Sequence, residues 1–214
     1  MSAPAIVYLH GFRSSPASVK ATALRTAVEA LPPFVRPALH VPDLQFDPAR
    51  AVAHVATLIA GCAGAAPLTL VGSSLGGYYA TYLAERYGTR AVLVNPAVRP
   101  DQDLGAYLGT QTNLYTGESF EVTPAHFTQL RELRVARITR PERYFLLLET
   151  GDEVLDYRQA LAHYAGAWQY VRGGGDHAMQ DYAVQIPAIL RFAGAALPAP
   201  TVRHARRSPS PAAR

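Results

Sequence analysis

Leu68-Thr69-Leu70-Val71-Gly72-Ser73-Ser74-Leu75-Gly76-Gly77 is the stretch on which the reading of this chain turns. A short, mostly apolar run ends in two glycines that bracket a serine, and Leu75 to Tyr87 then has helix-forming character, closed by Gly88. This is G-x-S-x-G set between a strand and a helix. A turn so sharp lifts the central hydroxyl above the sheet, and small residues on both flanks let the helix pack against the strand. Ser74 is therefore the candidate nucleophile, with Gly72 and Gly76 as the residues that make the turn possible. The competing reading is a plain Gly/Ser turn, and the rest of the chain decides between them.

Working outward, Ala5–Leu9 reads as a buried strand ending at His10-Gly11. Ser15-Pro16 then suits a helix start, because serine caps and proline fits the first turn. The expected helix covers 17–31 and is stopped by Pro32-Pro33. Residues 38–41 form a brief strand, Asp47-Pro48 opens a helix to about Ala60, and 91–94 form the strand after the Ser74 helix. Tyr144–Leu148 and Trp168–Val171 are further strands. Helical stretches follow at 156–164 and 180–192. Strands alternating with helices imply a mostly parallel sheet covered on both faces. Residues 99–140 interrupt the alternation. They are polar, rich in aromatics and without a strand signal, and read as a short helical cap. The expected organisation is an α/β-hydrolase fold in one domain over 1–194 with a disordered basic tail over 195–214.

Composition narrows the function classes. The formal charge is +4. The last twenty residues contain Arg203, Arg206, Arg207 and Arg214 and no acid, which leaves the body formally neutral. The basic balance thus describes the tail and excludes a nucleic-acid-binding face on the body. Lys20 is the only lysine beside nineteen arginines, a bias expected of codon usage. A single cysteine, Cys62, leaves no internal disulfide. No basic segment leads into an apolar stretch with a cleavage site, and no apolar run approaches the roughly 18 residues a membrane span needs. The expectation is a cytoplasmic monomer or small homo-oligomer with a small-molecule partner. No metal is expected, since H-E-x-x-H and cysteine clusters are missing from the sequence. No cofactor is expected either: Gly173-Gly174-Gly175 is not followed by the Lys-Ser/Thr of a phosphate loop.

A serine hydroxyl needs a histidine to take its proton, and the histidine needs an orienting acid. On sheets of this type the three occur in the order serine, acid, histidine. After the 144–148 strand comes Thr150-Gly151-Asp152-Glu153-Val154-Leu155-Asp156. An acid in a loop at a strand's carboxyl end is where such a sheet builds its site. Asp152 is the choice. Glu153 is expected to point away, and Asp156 to cap the next helix. His177, after the three glycines, is the candidate base. Asp176 beside it is expected to be solvent-facing or bonded within its loop. Two N–H groups must meet the developing oxyanion. Leu75 supplies one and the His10-Gly11-Phe12 loop the other, from Phe12. Gly11 allows close approach and the His10 side chain braces the loop. Tyr107, Leu108, Leu114, Tyr115, Phe120 and Phe127 could line an acyl pocket, although cap packing is the plainer role for most. Tyr78 and Tyr79 read as core.

Five segments resemble the YqiA-type esterases, a small bacterial α/β-hydrolase family. They are Val7-Tyr8-Leu9-His10-Gly11-Phe12 with Ser14-Ser15-Pro16 and Lys20-Ala21; Gly72 to Ala80; Leu93-Val94-Asn95-Pro96-Ala97; Thr150 to Tyr157; and Gly174-Gly175-Asp176-His177. Together they reach to about Phe192. The resemblance implies esterase activity toward acyl esters or acyl-CoA thioesters. It also implies nucleophile, acid and base at Ser74, Asp152 and His177. The sequence departs from that pattern at Ala178-Met179, where the family favours an aromatic, and in the arginine-rich tail.

The resulting expectation is a serine carboxylesterase working through an acyl-enzyme on small acyl chains. Thioesterase or acyltransferase action with the same three residues is the alternative. A non-catalytic ligand-binding protein on a hydrolase scaffold is the alternative from another class.

Overall fold

The computed structural model describes residues 4–62 and 67–197. In chain order its elements are β1 (Ala5–Leu9), α1 (Val19–Glu29), β2 (Ala38–His40), α2 (Pro48–Gly61), β3 (Leu68–Ser73), α3 (Leu75–Tyr87) and β4 (Arg90–Val94). The insertion holds α4 (Pro100–Asp103), β5 (Gly109–Thr112), β6 (Ser119–Val122) and α5 (Pro124–Glu132). Then come β7 (Tyr144–Glu149), α6 (Tyr157–His163), β8 (Trp168–Arg172) and α7 (Tyr182–Phe192). Six strands make one sheet in the order β2-β1-β3-β4-β7-β8, and every neighbouring pair is parallel.

Strand side chains alternate between faces, and the two cores follow that alternation. Ile6 and Tyr8 point to the face covered by α1 and α7, among Leu24, Val28, Ile186 and Ile189. Val7 and Leu9 point to the other, among Val55, Ile59, Leu83 and Tyr164. Tyr78 and Tyr79 belong to this second core, as expected. The central strands are buried on both faces, which is why they read as continuous apolar runs. β8 is an edge strand, and Trp168, Tyr170 and Val171 on it are exposed. Among the described residues no helix is long and apolar enough to cross a membrane.

Two sequence expectations need correction. Residues 99–140 do contain strands: β5 and β6 pair antiparallel in a sheet of their own, between the expected helical pieces. Their residues, Gly109-Thr-Gln-Thr and Ser119-Phe-Glu-Val, bury few side chains, so no apolar alternation announced them. The first helix also starts later. Ser18, not Ser15, precedes its first residue, and Ser15 to Ser18 form a turn in which the Ser15 carbonyl accepts from Ser18 N–H (3.0 Å). From residue 198 onward the proposed tail lies outside the described residues.

Glu85 on α3 latches the end of the insertion to the body. Its carboxylate accepts from Thr139 N–H (3.2 Å), Thr139 Oγ1 (2.6 Å) and Tyr144 Oη (2.5 Å), with the Arg143 guanidinium 3.5 Å away. Burial opposes its ionisation, but the hydrogen bonds and Arg143 outweigh burial and hold the carboxyl below its usual range. A group with a depressed folded pKa stabilises above its unfolded value, 4.5 here, and that contribution disappears as pH falls through the folded pKa. Glu85→Gln is therefore expected to lower stability at pH 7 by about 1–3 kcal/mol. The gap from wild type should narrow at pH 4, as read by urea denaturation at both pH values.

Candidate active site

The carboxyl ends of β1, β3, β4, β7 and β8 meet around Ser74. Ser74 sits at φ 55°, ψ −122°, a backbone conformation that costs a non-glycine residue about 1–3 kcal/mol. The surrounding backbone holds it there. Its N–H donates to the Val94 carbonyl (3.0 Å), and its own carbonyl accepts from Gly77, Tyr78 and Ala97 N–H groups. No side chain fits between the strands and α3. A Cβ at Gly76 would lie 2.1 Å from the Leu9 carbonyl oxygen, and one at Gly72 2.3 Å from that of Gly76. Gly11 also faces the turn: a Cβ there would lie 3.2 Å from Ser74 Cβ.

The structure brings the three sequence-expected side chains into one line. His177 Nε2 lies 3.0 Å from Ser74 Oγ, and His177 Nδ1 lies 2.8 Å from Asp152 Oδ2. Asp152 is nearly inaccessible, and its Oδ1 accepts from Val154 and Leu155 N–H groups, both at 2.8 Å. Asp156 caps α6 through Arg158 N–H (3.0 Å), as expected. Asp176 is bonded within its loop, to Gln180 Nε2 (3.1 Å). Glu153 does not point away: its Oε2 accepts the His177 N–H at 2.9 Å.

Several residues with no assigned role hold the His177 loop. Asn95, buried at the end of β4, uses all its polar atoms. Its amide nitrogen donates to the Asp176 (3.1 Å) and His177 (3.2 Å) carbonyls, while Oδ1 accepts Glu149 N–H (3.0 Å). Buried Glu149 accepts Asp176 N–H (2.6 Å) and an Arg172 guanidinium N–H (3.0 Å). Lys20 Nζ donates to the Ala178 carbonyl at 2.6 Å. The available signal was a polar residue, Asn95 or Glu149, at the end of an otherwise apolar strand. Such a group must find partners when buried.

The His10–Ser14 loop forms the opposite wall. His10 Nε2 accepts the Leu44 N–H (3.1 Å) and Nδ1 faces its Gly11 carbonyl, so the ring braces the loop. Burial pushes the His10 pKa below the usual histidine value, favouring the neutral ring that this acceptor role requires. The β5–β6 hairpin clips the same loop. Leu114 N–H donates to the Arg13 carbonyl (2.9 Å), Arg13 Nε to the Thr112 carbonyl (2.9 Å), and Asn113 Nδ2 to the Ser14 carbonyl (2.9 Å). Among the described residues neither Phe12 N–H nor Leu75 N–H donates to a protein acceptor.

Two cavities flank this loop and share Gly11 to Ser14. One, of about 410 Å³, is lined by Ser74, His177, Leu114, Tyr115 and Lys20 among others. The second, about 390 Å³, runs past Leu75, Tyr79, Phe46 and Phe120. Of the suggested pocket residues, Leu114, Tyr115 and Phe120 thus line cavities. Tyr107 packs edge-on against Phe12 with ring centres 5.5 Å apart, Phe127 is buried in the core, and Leu108 is exposed.

A parallel sheet in this order, with a strained serine turn leading into the helix after β3, defines the α/β-hydrolase fold. The chain belongs to the uncharacterised protein family UPF0227, the YqiA family, whose sequence profile matches residues 5–194. Similar solved structures include a putative hydrolase from Agrobacterium vitis S4, 20% identical over 89% of this chain and 88% of that one, TM-score 0.70. Mouse alpha/beta hydrolase domain-containing protein 10 is 18% identical over 88% and 89%, TM-score 0.67. Est1E from Butyrivibrio proteoclasticus, solved with ferulic acid, is 14% identical over 89% and 88%, TM-score 0.65.

Asn113→Ala removes the clip from hairpin to loop and the two turn hydrogen bonds that Asn113 Oδ1 accepts from Tyr115 and Thr116 N–H groups. The Leu114 amide, which bonds the Arg13 carbonyl, is expected to exchange with solvent about tenfold faster in this variant. The Val92 amide in the central sheet should be unchanged. Hydrogen exchange read by NMR compares the two.

Proposed function

We propose that the protein is a serine carboxylesterase in which Ser74, His177 and Asp152 act as nucleophile, base and orienting acid. The observation that carries the reading is the continuous line Ser74 Oγ–His177 Nε2–His177 Nδ1–Asp152 Oδ2, at 3.0 and 2.8 Å about the ring. Asp152, held as an acceptor by two backbone N–H groups, keeps the ring proton on Nδ1 and leaves Nε2 free to accept from the serine.

In this mechanism Ser74 Oγ attacks the acyl carbonyl while its proton passes to Nε2. The carbonyl electrons move onto oxygen, and the N–H groups of Phe12 and Leu75 receive that charge. Donors fixed in advance need no reorganisation as the charge forms. Collapse breaks the bond to the leaving oxygen, which takes the Nε2 proton and departs as the alcohol. Water then gives a proton to Nε2 as it attacks the acyl-serine, and collapse breaks the bond to Ser74 Oγ, which takes that proton back as the acid departs. The cavities on either side of the Phe12 loop supply room for the two arms of the ester. A thioester would follow the same steps with a thiol as leaving group.

Wild type is expected to hydrolyse p-nitrophenyl acetate and butyrate and to take one fluorophosphonate adduct, mapped to Ser74 by mass spectrometry. Ser74→Ala should lose at least about 10³-fold in kcat and take no adduct. Asp152→Asn should fall about 10⁴-fold with the fold retained, because the ring tautomer is then wrong. An inert wild type that takes no probe would count against the esterase and in favour of a binding scaffold.

A further inference from the structure

Lys20 stands where the general chemistry has no use for it. It occupies the first turn of α1 and lines the cavity that holds Ser74 and His177. Four groups in that lining carry or can carry charge near neutral pH: Arg13, Lys20, Glu153 and His177. Glu153 is committed to the His177 N–H and His177 to Ser74 and Asp152. The three carboxylates that act on Lys20 are Asp176, Asp152 and Glu149: Asp152 is engaged by His177, Glu149 by Arg172, and Asp176 by Gln180 through Oδ2, its buried Oδ1 having no hydrogen-bond partner among the described residues. Among the described residues none forms an ion pair with Lys20.

The ammonium has three donor directions, and the Ala178 carbonyl takes one. Partial burial pushes the Lys20 pKa below the usual lysine value. Leaving a cation half-desolvated with one neutral acceptor is unfavourable, and an anion brought into the cavity would repair it. The composition points the same way. In a chain that uses arginine nineteen times, the single lysine lies on this wall. Arg13, the second cation, already spends its Nε on Thr112. With the Glu153 carboxylate in the same lining, the two cations leave a formal excess of one positive charge, which matches one negative charge better than two. The rim is apolar and open, with Val19, Leu114 and Tyr115 all exposed.

We propose that this cavity is a carboxylate subsite: Lys20, seconded by Arg13, receives an anionic end carried on one arm of the ester that Ser74 attacks. The proposal rests on the esterase reading for its chemistry but can be tested apart from it.

The test compares matched esters on wild type, Lys20→Met and Lys20→Arg. Mono-p-nitrophenyl adipate against p-nitrophenyl hexanoate puts the charge on the acyl arm. 4-Carboxyphenyl butyrate against 4-carbamoylphenyl butyrate puts it on the leaving arm. Wild type is expected to favour the charged member of one pair by about tenfold or more in kcat/KM. In Lys20→Met the charged-to-neutral ratio should fall to about one, and in Lys20→Arg most of it should survive. The ratio cancels any common loss from a shifted His177 loop. No preference in wild type, or a preference that Lys20→Met leaves intact, overturns the subsite. The same pairs titrated calorimetrically into Ser74→Ala and Ser74→Ala/Lys20→Met separate the two ideas. A binding preference lost with Lys20, beside a wild type that turns over none of the esters, upholds the subsite and sinks the esterase. Equal binding of both members of each pair overturns the subsite whatever the turnover.

Discussion

The upper edge of the sheet depends on backbone meeting backbone. β1, β3 and the start of α3 approach so closely that Gly72 and Gly76 have no room for even a methyl group. That contact sets the angle at which α3 leaves the sheet and forces Ser74 into its left-handed conformation. Relaxing the turn would break the Ser74 hydrogen bonds to Val94, Gly77 and Ala97 together. The local strain is therefore shared among groups that also build the sheet and the helix, and cooperative folding sustains a conformation serine would not choose.

A second set of constraints fixes the groups that face the serine. The His177 loop is rich in glycine, so it has little order of its own. It is ordered by side chains from α1, the residue after β4, β7 and the β7–α6 loop, through Lys20, Asn95, Glu149 and Glu153. The facing loop at His10–Ser14 is ordered from the insertion and from Leu44. Two loops, each weak alone, are thus held by unrelated parts of the chain, and the space between them is where Ser74 projects.

Much of this was legible in the sequence because it is carried by local patterns. Runs of apolar character ended near glycine or proline mark the six strands of the main sheet, and the order of Ser74, Asp152 and His177 in loops after three of them points to the loops that meet. The hairpin at 109–122 was not legible. Its strands are short, polar and half-exposed, and what defines them is pairing with each other and their grip on Arg13 and Ser14, neither of which leaves a periodic trace. The start of α1 is not legible either: Ser15-Pro16 fits a helix start locally, whereas the Ser15 carbonyl bonds Ser18 in a turn instead. The place of Glu153 is hidden for a similar reason. Its partner, His177 N–H, lies 24 residues away and becomes a neighbour only when β7 and β8 pair.

The strand order carries a consequence in time. The chain begins at the interior of the sheet with β1 and finishes at its edge with β8. The imidazole reaches Ser74 across 103 residues of sequence, delivered by the last strand–helix connection. A ribosome adding about 5–20 residues per second makes those residues in roughly 5–20 seconds. Throughout that interval the nascent chain holds a serine whose future neighbour does not yet exist. The sheet's last edge and the imidazole belong to the same late stretch of chain, so a chain ended before β8 has no imidazole to offer the serine.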